Sequence, residues 1–197
     1  MYIGFFLLSW IWIQDAQAVQ DNWFTVKPDE ARAAVRMPVE PVHRKRSFEA
    51  VRGQPLTINM YLGTTPDKKK SFVFAYHDVF EKIRGKKHEK TVLDGAVEGA
   101  KGPYLGDLIT NKEIIKDGNR GRDFTIIVNQ NGSLVKIKQR VLLVDQRLYQ
   151  LNVVCAQAEF DDIEANKFLD SLDLDATPKK PKTPPKPGGS PKGSVDK

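Results

Sequence analysis

The run Arg122–Ala156, RDFTIIVNQNGSLVKIKQRVLLVDQRLYQLNVVCA, decides the fold. Its middle segment, Ser133–Val144, sets Val135, Ile137, Val141 and Leu143 on one side and Lys136, Lys138 and Arg140 on the other. A period of two with one apolar face defines a half-buried strand. Asn131-Gly132 ahead of it is the dipeptide that accepts two positive φ angles in a tight hairpin turn. Asp145-Gln146 behind it turns into Arg147–Ala156, where Tyr149, Leu151, Val153 and Cys155 recur at the same spacing. Three antiparallel strands are expected: Arg122–Val128, Ser133–Val144 and Arg147–Ala156.

The same period returns nearer the N-terminus. Leu56, Ile58, Met60 and Leu62 alternate with Thr57, Asn59 and Tyr61, and Ser71–His77 carries Phe72, Phe74 and Tyr76 on one side. Lys68-Lys69-Lys70 then reads as a charged loop between two strands. Arg52-Gly53-Gln54-Pro55, between Phe48–Val51 and Leu56–Leu62, reads as a hairpin. Trp23–Val26 and Ala33–Met37 are short strands, the second stopped by Pro38 and Pro41, which cannot donate to a ladder.

Helical spacing occurs in two places. Val92, Leu93, Ala96, Val97 and Ala100 predict a helix stopped at Gly102-Pro103, preceded by a basic loop over Lys82–Lys90. Gly95 and Gly99 weaken that helix, and a smooth stripe for close approach to a sheet is the expected reason for them. Asp161-Asp162-Ile163-Glu164 reads as a capped helix start, with Ile163, Phe168, Leu169 and Leu172 as the buried stripe. The expected class is α+β: a mostly antiparallel β-sheet packed against two main helices.

The ends differ from this middle. Tyr2–Ile13 is almost continuously apolar, and as a helix it rises only about 18 Å, short of a bilayer core. Ala16-Gln17-Ala18 follows as a small-x-small cleavage pattern. Residues 1–18 are therefore read as a signal peptide cleaved after Ala18, and the protein as exported, periplasmic or extracellular. No Lys or Arg precedes the apolar run, so an uncleaved anchor is the alternative. Residues 19–175 form a single domain, and 176–197 a disordered Lys/Pro-rich tail. From Thr177 the tail holds six prolines and Val195 as its one large apolar side chain, so it cannot bury a core. Net charge is +6 over 197 residues. Most of it sits in that tail, where six lysines face one acid, Asp196, leaving the domain nearly neutral.

No catalytic constellation emerges. Cys155 is the one cysteine, on an apolar strand face, and reads as a buried inert thiol. His77-Asp78 is a base beside a carboxylate, but adjacent strand residues point to opposite faces. Scattered histidines and one cysteine provide no zinc spacing. Asp161, Asp162 and Glu164 are explained by helix capping. No cofactor is expected, and no metal. The candidate contact for a polyanion is the strand face Lys136, Lys138 and Arg140 together with the tail lysines Lys179, Lys180, Lys182 and Lys186.

Gly121-Arg122-Asp123-Phe124, the stretch Asp145-Gln146-Arg147-Leu148-Tyr149-Gln150-Leu151, and Ala165 with Phe168-Leu169-Asp170-Ser171-Leu172 resemble a family of small exported bacterial proteins of unassigned function. Those proteins are similar to the PsbP-like α/β/α sandwich, shared by the photosystem subunit PsbP and a eukaryotic Ran-binding protein. The resemblance implies an antiparallel sheet between helices over residues 23–174, and binding to other macromolecules without a shared catalytic set.

The functional expectation is an exported, non-catalytic binding or accessory module of the cell envelope. Its partner would be an anionic envelope polymer or a protein, with nucleic acid disfavoured and no membrane span left after cleavage. The alternative is a small-ligand carrier or enzyme with a pocket between helix and sheet, His77, Tyr76 or Arg122 at its mouth and Phe72 and Phe74 in its lining.

Overall fold

The computed structural model describes residues 22–49, 55–80, 82–102 and 106–174. The expected signal peptide and the lysine-rich tail lie outside the described residues. Strands β1 (Phe24–Val26) and β2 (Val35–Met37) form a small hairpin. The main sheet comprises β3 (Val42–Glu49), β4 (Pro55–Thr64), β5 (Lys70–Asp78), β6 (Asp107–Lys116), β7 (Asn119–Gln130), β8 (Ser133–Val144) and β9 (Arg147–Ala156). Every pairing is antiparallel, in the order β3-β4-β5-β9-β8-β7-β6. Helix α1 (Gly85–Lys101) joins β5 to β6, and α2 (Asp162–Asp170) follows β9.

The α+β expectation is overturned. Of the described residues 55% are strand and 23% helix, so the protein is mainly β: one large antiparallel sheet with a helix on part of each face. One whole strand, β6, escapes the sequence reading, and β3 is read only at its Phe48–Glu49 end. β3 carries His43, Arg44, Lys45 and Arg46 in succession, so neither of its faces is apolar. β6 is broken by a register shift between Leu108 and Thr110, which destroys its alternation. The segment from Lys82 to Lys90 is loop only at its start, because α1 begins at Gly85.

The turns follow the sequence. Asn131 (φ 52°) and Gly132 (φ 86°) are both left-handed, as the hairpin dipeptide requires. Asp117 (φ 51°) and Gly118 (φ 78°) repeat that geometry between β6 and β7. Asp161 caps α2, its carboxylate accepting from Ile163 N at 2.8 Å and Glu164 N at 3.2 Å.

Two cores flank the sheet. Beneath α2 and the β1–β2 hairpin lie Phe72, Phe74, Tyr76, Leu142, Tyr149, Leu151, Val153, Phe168 and Leu169, all buried. The Tyr149 hydroxyl donates to the Ala31 carbonyl at 2.6 Å and ties the N-terminal segment down. Ile163, expected in the α2 stripe, is 83% exposed: it stands in the first turn, beyond the edge of this core. On the opposite face α1 seals Leu93 and Val97 against Phe124, Ile126, Val128, Val141, Leu143 and Leu148. Arg122 fastens that layer, reaching Asp94 of α1 at 2.5 Å and Glu113 of β6 at 2.7 Å.

Candidate functional site

Helix α1 packs chiefly on β7 and β8, and among the described residues the other half of its sheet face is left bare. The bare half is a cleft of about 730 Å³. Its floor is aliphatic, from Ile58 and Met60 of β4, Val73 and Ala75 of β5, and Val154 of β9. Its wall is α1 itself, through Val92, Gly95, Ala96, Gly99 and Ala100. Gly95 and Gly99 do not serve close approach to the sheet: a Cβ at either would meet nothing within 4 Å. They face the open cleft.

A polar cluster interrupts that floor. Asn152 of β9 is registered between Val73 of β5 and Gln139 of β8, and Gln150 between Ala75 and Val141. Cross-strand partners share a face, so Gln139, Gln150 and Asn152 stand together, with His77 near the end of β5 also lining the cleft. His77 Nδ1 and Asn152 Oδ1 are buried without a hydrogen-bond partner. Burial pushes the His77 imidazole below its ordinary value, with the charge of Asp78 acting weakly the other way.

The sign of that shift gives a pH dependence. Above about pH 6.5 His77 is neutral in both folded and unfolded chains and contributes no slope. Below it the unfolded chain takes up a proton that the folded one resists, so stability falls as pH drops from 6.5 toward 5. Urea midpoints measured over that interval should decline in the native protein and decline less in His77→Gln.

The remaining residues singled out in the sequence fall elsewhere. Asp78 lies on the opposite face from His77 and accepts from Arg147 at 2.7 and 3.0 Å, which holds its carboxyl below the usual range. Tyr76, Phe72 and Phe74 belong to the core under α2, and burial raises the Tyr76 phenol to about 12. Arg122 is consumed by its two carboxylates. The cleft is therefore lined by aliphatic and amide side chains, not by the aromatic residues expected there. Cys155 is 4% exposed, and burial raises its thiol.

Lys136 and Lys138 both donate to Asp162, at 3.0 and 2.9 Å. Arg140 bridges Asp170 and Asp123, at 2.6 and 2.8 Å. Lys136 also lies 4.1 Å over the Phe160 ring. The strand-face cations thus anchor α2 and its approach, bordering a polar groove of about 700 Å³ that also holds Asp123 and Asp162. Lys179, Lys180, Lys182 and Lys186 lie outside the described residues. Among the described residues no group of three His, Cys, Asp or Glu side chains converges as metal ligands would, and no helix is long and apolar enough to cross a membrane.

This seven-stranded antiparallel sheet, with one helix on each face and an N-terminal hairpin, has a PsbP-like fold. The solution structure of cyanobacterial PsbP (CyanoP) from Synechocystis matches with a TM-score of 0.53 at 8% identity, over 79% of this chain and 94% of that one. A protein of unknown function from Pseudomonas aeruginosa, PA94, aligns at 12% identity over 70% of this chain and 85% of that one, with a TM-score of 0.40. No family model matches the sequence, and no curated protein matches it either.

Proposed function

We propose that this protein is an exported, non-catalytic binding module that holds a macromolecular partner of the cell envelope on the open half of its α1 sheet face. One observation carries the reading: Ile58, Met60, Val73 and Val154 form an aliphatic floor that the chain's own helix leaves uncovered. Apolar surface of this extent, set beside polar groups that lack partners, is characteristic of binding sites. The tail lysines add attraction to an anionic surface, screened by salt.

The test is retention of the mature chain on native envelope material. Ile58→Glu with Met60→Glu should abolish retention, whereas removing residues 177–197 should weaken it and flatten its salt dependence. Unchanged retention in the cleft double variant would refute the reading. A small-ligand carrier using the same cleft is the second reading, supported by the unpartnered His77 Nδ1 and Asn152 Oδ1. It requires that an apolar ligand raise the melting temperature and that His77→Ala remove the effect.

A further inference from the structure

Resting on that reading, we infer that the occupant of the cleft is an amphipathic α-helix of a partner protein, apolar over Ile58, Met60 and Val73 and acidic along the flank that meets Arg44 and Arg46.

The width of the floor selects a helix. β9, β5, β4 and β3 lie side by side. At about 4.8 Å per strand they span roughly 14 Å. A helix with its side chains is about 10–12 Å across. One helix beside α1 therefore covers this half of the sheet as α1 covers the other half. A single acyl chain would leave most of it bare.

The wall supports the same occupant. Gly95 and Gly99 sit one turn apart in the C-terminal half of a 17-residue helix, next to Ala96 and Ala100. Both glycines disfavour helix formation, and packing among the described residues offers nothing in return, because no atom of theirs comes within 4 Å of a Cβ at either position. Bare backbone at i and i+4 is a surface on which a second helix packs closely. The amide cluster under it, with His77 Nδ1 and Asn152 Oδ1 unsatisfied, would take an uncharged hydrogen-bonding side chain at the centre of the docked face.

Charge sets the flank. Arg44 and Arg46 stand opposite Met60 and Ile58, so they share the cleft's face and mark its outer edge. Both are exposed and form no ion pair with another described residue. Among the described residues no acidic side chain lines the cleft. A second copy fits poorly, because pairing two β3 edges would set Arg44, Lys45 and Arg46 against their own repeats.

Two synthetic helical peptides of about 18 residues test this, each some 27 Å long and sharing one apolar face, with Glu along one flank in the first and Lys in the second. Fluorescence anisotropy against the full chain should show saturable binding of the Glu peptide at least about tenfold tighter than the Lys peptide. Arg44→Glu with Arg46→Glu should reverse that preference. Gly99→Leu should weaken binding about tenfold or more, while Gly99→Ala retains it and raises the melting temperature, showing that the position tolerates side chains in the free protein. Equal binding of the two peptides, binding unaffected by Gly99→Leu, or displacement of the Glu peptide by a fatty acid or by self-association would overturn the inference. If the wild type is retained on envelope material through the cleft yet the peptides are not discriminated, only the helical occupant fails.

Discussion

Phe168→Ala is expected to remove about 3–5 kcal/mol of stability, a large fraction of the 5–15 kcal/mol available to a domain of this size. The ring is fully buried and meets Phe72 edge-on, centroids 5.5 Å apart at 81°. It is the largest apolar group that α2 contributes, beside Ala165 and Leu169. A nine-residue helix does not persist in water unaided, so the docking of this face maintains α2. Once the ring is lost, the ion pairs of Asp162 with Lys136 and Lys138 cannot hold the helix, because exposed pairs contribute no more than about 1 kcal/mol each. Urea unfolding measures the loss. Cys155 supplies a second readout from the same face of the sheet: its buried thiol should become accessible to a thiol reagent faster in the variant. A midpoint within experimental scatter of the native protein would mean that α2 is an appendage, not part of the core.

The elements of the molecule are unequally legible in the sequence. Ser133–Val144 announced itself because its apolar side faces α1 while its lysines lie on the opposite face, and Asn131-Gly132 can adopt few other geometries. Asp161 was equally readable, since a cap depends on residues two and three positions away. β6 was not, because the register shift near Leu108 removes the periodicity on which recognition depends; Asp117-Gly118 was the surviving signal, and it is the same kind of turn as Asn131-Gly132. All of β3 before Phe48 hid behind its basic run, which belongs to an edge strand. These omissions, with helices that cover only part of each face, explain why an α+β class was expected where the sheet dominates. The cleft was the least legible feature. Its lining comes from six separate elements, and its existence depends on where α1 stops covering the sheet, a quantity no local pattern encodes. The surroundings of the lysine face were hidden for a related reason: the carboxylates that pair with Lys136, Lys138 and Arg140 arrive mainly from α2, more than twenty residues away in the chain. The glycines of α1 read as packing devices because sequence shows the missing side chain and not the empty space beside it.

Gly121→Ala should destabilise the sheet by about 3 kcal/mol or more, through crowding and not through lost contacts. Gly121 is registered between Ile114 of β6 and Leu142 of β8, in the interior of the sheet. A Cβ there would collide with the main-chain carbonyl of Val141 and approach Leu142 Cδ1 to 2.8 Å and Ile114 Cγ1 to 3.1 Å. A side chain can rotate away, but a carbonyl within a hydrogen-bonded ladder cannot, so β7 must separate from β8 or bulge. Either movement displaces the next residue, Arg122, whose pairs with Asp94 and Glu113 join α1 to the β6–β7 end. Strain at one methyl group thus reaches the helix that walls the cleft. Each kcal/mol lowers the melting temperature by about 2–4 °C in a domain of this length, so a drop of roughly 6–12 °C is expected. Gly102→Ala is the matched control, since Gly102 is in the right-handed helical region with open space at its Cβ position, and it should melt close to the native protein. If Gly121→Ala melts with that control, β7 and β8 can part at this point without penalty, and the α1 wall is less firmly fixed than the Arg122 ion pairs imply.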